Sequence, residues 1–135
     1  MLFHINKTKW ALFFAFLGMF VLGITDNIRG PLYPELIRNF NLTNSQGSFS
    51  FAFTSMAAVL ANTAAAFLLR RIHLDRLMTG SVVMIVVGPL LMGLATSFNV
   101  YLLGAIILGF SFGAMGVAQN LLIAENTTGR QQTQA

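Results

Sequence analysis

Three stretches of this chain, residues 48–69, 77–97 and 101–124, contain no Lys, Arg, Asp or Glu. Each is about as long as the ~20 residues a helix needs to cross bilayer hydrocarbon. Lipid offers no partners to backbone N–H and C=O groups, so such a run must satisfy them within itself, as a helix does. Composition agrees, with 56% hydrophobic and 9% charged residues against about 25% charged in soluble domains. The sequence therefore predicts an all-α, polytopic membrane protein embedded in the lipid bilayer.

A fourth span comes from residues 10–24, which carry no charge. Alone they would cover only about 22 Å at 1.5 Å per residue, short of the ~30 Å hydrocarbon core. The helix must continue through Asp26 and Arg29 or thin the bilayer locally. The four predicted transmembrane helices then run over about 10–37, 44–69, 77–97 and 101–124. Together they make residues 1–125 one transmembrane segment, followed by a polar tail, 126–135, expected to be disordered.

The net charge of +4 carries topology rather than nucleic-acid binding, because short loops rich in Lys and Arg stay cytoplasmic. Lys7 and Lys9 precede span one, Arg70, Arg71 and Arg76 lie between spans two and three, and Arg130 follows span four. The alternate loops hold Arg38 alone. Both termini are thus expected in the cytoplasm, with the chain in the plasma (cell inner) membrane. There is no cysteine, so disulfide and thiolate chemistry are absent. No metal-ligand spacing and no cofactor motif appear, and no set of nucleophile, base and acid is placed for catalysis. The chain does not read as an enzyme.

Asp26 and Arg29 are the most informative polar pair. Ionisable groups at membrane depth cost roughly 2.5–3.5 kcal/mol each even on the mild insertion scale. They are tolerated against protein or a wet cavity, or at an interface to which they snorkel. Three residues apart on a helix, they share a face. Gly30-Pro31 and Pro34 predict a kink or unwinding beside them, since Pro31 donates no hydrogen bond and disfavours helical geometry at Gly30. Asp26 is the candidate coupling or substrate group and Arg29 its partner or an anion site. Asn27, Asn62 and Asn120 are candidate hydrogen-bonders to a polar solute; an interhelical hydrogen bond is an equal reading for Asn62 and the first reading for Gln119 and Asn120. Arg70, Arg71 and Arg76 read as a cytoplasmic gate, a topology anchor or a contact for anionic headgroups.

Helix two is expected to start at a capping box, Thr43 with Gln46. Ala57, Ala61 and Ala65, and Ala105, Gly109 and Gly113, form small-residue faces that let helices approach closely. Span three is the least polar and carries Gly88-Pro89, a predicted kink.

The TDNIRGPLYPEL end of span one, LTNSQGS at the start of span two, AFLLRRIHLDR after it and GFSFGAMGVAQNLLIAE at the end of span four resemble the major facilitator superfamily over about residues 8–125. The nearest likeness is to its fucose–proton symporter branch. The resemblance implies helices one, two and four around a central cavity, helix three peripheral, and alternating access between two six-helix halves. The sequence departs from the family pattern in three ways. Ala66 and Arg70 replace the first Gly and the Asp of the Gly-x-x-x-Asp-Arg-x-Gly-Arg-Arg loop motif. Gly30 and Gly116 stand where the symporter branch carries acids. Four spans stand against about twelve in the family.

The resulting expectation is part of a secondary-active, ion-coupled transporter for a small polar solute, with a sugar as one candidate. It would work with missing downstream helices or another subunit. The alternative is a small four-helix membrane protein, or a silent fragment, that oligomerises through its Ala/Gly faces and transports nothing.

Overall fold

A computed structural model describes the backbone of residues 2–132 and the side chains of Phe13 and of residues 16–124, Phe14 and Ala15 being outside that set. Five helices follow in order: α1 (Leu2–Asn27), α2 (Arg29–Asn39), α3 (Asn44–Leu68), α4 (Leu74–Gly93) and α5 (Phe98–Gln132). No strand occurs among the described residues. α3, α4 and the Phe98–Ala124 part of α5 are long and apolar enough to cross a membrane. Lys7, Lys9 and Arg130 lie outside the described side chains.

The predicted single span over 10–37 is divided between α1 and α2, and the break falls at Ile28 rather than at Gly30-Pro31. Pro31 sits in the first turn of the new helix, where its missing N–H would have no intrahelical partner anyway. Ile28 itself keeps helical dihedrals, φ −65° and ψ −22°, and its N–H donates to the Ile24 carbonyl at 3.0 Å, so the interruption matches the bond that Pro31 cannot give to the carbonyl of Asn27, four residues back. α4 likewise keeps helical assignment through Pro89.

The α2–α3 turn follows from two local signals. Asn41 takes the left-handed conformation, φ 51°, which Asn tolerates better than most residues. The Leu42 N–H donates to the Ile37 carbonyl at 2.9 Å and Asn41 N–H to Arg38 at 3.4 Å, the pairing of a Schellman stop. Two residues on, the expected capping box closes. Gln46 N–H donates to Thr43 Oγ1 at 3.2 Å, and Thr43 N–H to Gln46 Oε1 at 2.9 Å.

α5 is the hub, packing against α1, α3 and α4. Helices in lipid gain little from hydrophobic burial and associate through close packing and hydrogen bonds. Small residues therefore line both main seams. On the α3 side, Ala57, Ala61 and Ala65 are buried. A methyl added to Gly109 would lie 2.8 Å from Ala57 Cβ, and one on Gly113 2.7 Å from Ala61 Cβ. On the α4 side, Gly88 and Gly104 meet so closely that a Cβ on Gly104 would lie 2.8 Å from the Gly88 carbonyl oxygen. Ser111 Oγ of α5 donates to the Ser81 carbonyl of α4 at 2.8 Å. The Ala/Gly faces are consumed inside the chain. A second copy would have to use another face, such as the one carrying the exposed Asn62 and Ala66 on α3.

α5 also runs past the expected end of span four, and residues 126–132 are helical where a disordered tail was expected. The only helix breaker there is Gly129, which costs about 1 kcal/mol and does not stop a helix already nucleated over many turns.

Candidate functional site

Arg29, the first residue of α2, is buried. Its side chain is 6% exposed, so it does not snorkel to an interface. Nη2 donates to Thr54 Oγ1 at 3.0 Å and, at the longer distance of 3.4 Å, to the Ser50 carbonyl. Cζ lies 4.7 Å from the centre of the Phe51 ring, within the range of a cation–π contact. Thr54 Oγ1 can accept from Arg29 because its own proton goes to the Ser50 carbonyl, 2.7 Å away. Nε is buried without a partner.

Asp26 stands 3.7 Å from Arg29 Nη1 and is 64% exposed. That separation supports electrostatic attraction but not a good hydrogen bond. Arg29 is therefore anchored chiefly to α3, and the carboxylate remains free to contact something else.

Beside Arg29 lies a cavity of about 510 Å³ between the α1–α2 junction, α2, the end of α4 and the start of α5. Small-molecule sites run to about 300–1,000 Å³. Thr25, Arg29, Glu35, Asn39, Thr96 and Tyr101 give it polar groups among apolar walls. Glu35 also pairs with Arg38. At the end of α2, Phe40 packs against Phe98 and Tyr101, with centroids 6.3 and 6.0 Å away. Tyr33 ties α2 to α3, donating to the Asn44 carbonyl at 2.7 Å while Gly47 leaves room for its ring. Two neighbouring helices therefore hold the cavity wall that carries Arg29.

The other predicted site residues lie elsewhere. Asn27 Nδ2 donates to the Gly23 carbonyl at 2.7 Å, on an exposed face. Asn62 is exposed on α3, eight residues beyond Thr54, or roughly 12 Å along the helix. Asn120 is exposed on α5, roughly 28 Å along the helix from Tyr101. Arg70, Arg71 and Arg76 are exposed in and after the α3–α4 loop. The structure brings Asp26 next to Arg29, but only Arg29 lines the cavity, and Asn62 and Asn120 lie away from it. Among the described residues no cluster of three His, Asp or Glu side chains could hold a metal ion.

Sequence reasoning missed Ser50, Thr54, Phe51 and Tyr101 at this site. The available signal was the i, i+4 pair Ser50/Thr54 on the face that continues as Ala57, Ala61 and Ala65. Gln119 also differs from expectation. It is 1% exposed, lies against Gly18 of α1, and its Nε2 makes no hydrogen bond.

A family model described as the Major Facilitator Superfamily matches residues 15–135. The chain belongs to this superfamily. The match covers α2–α5 and the second half of α1, including the Arg29 site. Neither the curated proteins nor the solved structures give a match to this chain. The superfamily is one of membrane transporters, not of enzymes.

Proposed function

We propose that this chain forms cavity-lining helices of a secondary-active, ion-coupled transporter for a small polar solute, a sugar being the first class to test. α1 with α2, α3, α4 and α5 supply four membrane spans, with both termini on the cytoplasmic side of the plasma membrane. Alternating access needs two halves that rock around a common site, so these helices act with further helices of the same chain or of a second subunit. The carrying observation is the buried Arg29, bound to Thr54 and facing a cavity of small-molecule size.

In this reading Arg29 is the fixed charge of the site and Asp26, 64% exposed, is the group available to solute or coupling ion. Asn27 borders the pathway. Asn62 and Asn120 face further helices rather than the cavity, and Arg70, Arg71 and Arg76 anchor the cytoplasmic side. A buried cation is costly unless it is used, and structural pairing here is incomplete at Nε.

The test is uptake of a labelled panel of sugars, amino acids and carboxylates into vesicles containing the protein, comparing wild type, R29M and D26N at matched membrane abundance. Loss of uptake in R29M, and loss of ion-gradient dependence in D26N, are expected. Wild-type uptake with unchanged gradient dependence in both variants would remove the pair from the mechanism.

A further inference from the structure

α3 and α4 each pack along α5 but make little contact with one another. Between them runs a groove of about 240 Å³, separate from the Arg29 cavity. Leu68 of α3 and Gly80 and Met84 of α4 form its walls, and Phe110 and Ala114 of α5 its floor. Arg76 lies at one end. Its volume is below the ~300–1,000 Å³ typical of sites that enclose a drug-sized solute. A single chain lying lengthwise suits it better. The walls are open to the side, with Leu68 45% and Met84 43% exposed.

Charge is confined to one end. Arg70, Arg71 and Arg76 have no ion-pair partner among the described residues, although Asp75 is adjacent in sequence. Arg70 lies 5.8 Å from the Phe67 ring, and no described carboxylate forms an ion pair with it. Eight residues separate Arg76 from Met84, roughly 12 Å along a helix. That distance lies within the ~15 Å of hydrocarbon in one leaflet, half of a ~30 Å core. The groove thus combines an apolar track of one-leaflet depth with unpaired cations at headgroup level.

We propose that this groove binds one acyl chain of an anionic phospholipid, with the lipid phosphate held by Arg76 and attracted by Arg70 and Arg71. A neutral phospholipid fits the track equally well but leaves the three cations unanswered, and a protein helix brings no anion to that level by necessity.

The chain has one tryptophan, Trp10, so a W10F/M84W protein reports from inside the groove. It is reconstituted in phosphatidylcholine vesicles containing increasing fractions of either phosphatidylglycerol or phosphatidylcholine with brominated acyl chains, which quench tryptophan on contact. Stronger quenching by the phosphatidylglycerol is expected. R76Q should reduce that preference about fivefold, the size expected for one cation at a membrane surface, and R76K should retain it. Equal quenching by the two lipids would overturn the proposal, as would a preference unaffected by R76Q. A reporter shielded from both lipids at every ratio would do so too, by showing that a helix or second copy fills the groove.

Discussion

Replacing Thr54 by Val removes the hydroxyl that accepts from Arg29 Nη2 at 3.0 Å while keeping the side chain's shape. What then remains around the buried guanidinium is the Ser50 carbonyl at 3.4 Å, Asp26 at 3.7 Å and the Phe51 ring. A hydrogen bond to a charged group contributes about 1.5–3 kcal/mol. T54V also frees the Ser50 carbonyl from the Thr54 proton, so that oxygen can turn toward Arg29 and recover part of the loss. The expected cost is therefore at the low end, about 1.5 kcal/mol. T54S keeps the hydroxyl and loses one methyl, so it should cost no more than ~0.8 kcal/mol. Both are measured by titrating the protein in mixed micelles with a denaturing detergent and following helix content. The decisive comparison is T54V in an R29M background. With no cation to satisfy, its cost should fall to within ~0.5 kcal/mol of zero apart from packing, giving a coupling energy of about 1 kcal/mol or more. Equal costs of T54V in the two backgrounds would refute the argument that Thr54 is there to hold Arg29.

Three further outcomes follow from the packing. G113A places a methyl 2.7 Å from Ala61 Cβ; separating α3 from α5 to admit it should cost about 1–3 kcal/mol in the same titration. Q119L removes a buried amide whose Nε2 has no partner, so stability should stay level or rise by about 1 kcal/mol; a large loss would reveal a hydrogen bond Gln119 does make. T43A opens the capping box of α3 and should cost about 1 kcal/mol, read as a lowered unfolding midpoint, with transport unchanged.

Much of the architecture is legible in the residues because lipid simplifies the rules. Charge-free length locates α3, α4 and α5, and Thr43 with Gln46 locates the start of α3. The faces carrying Ala57, Ala61 and Ala65, and Gly109 and Gly113, declare themselves as contact surfaces by four-residue spacing. Periodicity names a face but not the helix that meets it, so the same stripes were compatible with a dimer until α3 and α5 were seen to close on each other. The break was harder to place. Proline's lack of an N–H pointed to Gly30-Pro31, whereas the bond it removes is the one to the carbonyl four residues back, at Asn27, which puts the discontinuity beside Ile28. At the site, Asp26 and Arg29 stand out by charge alone. Thr54 and Ser50 do not, since Ser and Thr in apolar helices commonly bond their own backbone and look inert in sequence. Tyr101 reaches the cavity through contact between Phe40, at the end of α2, and the start of α5, a relation between distant segments that no local pattern encodes.

The central claim is that solute occupies the cavity beside Arg29. The chain contains no cysteine, so T25C places one thiol on the cavity wall without background. Its rate of labelling by a membrane-impermeant maleimide is measured with and without each transported solute. The account requires labelling from the aqueous side, slowed by a transported solute in proportion to its occupancy and unaffected by a non-transported analogue. A thiol that cannot be labelled from either side, or one labelled at the same rate at saturating solute, would contradict it.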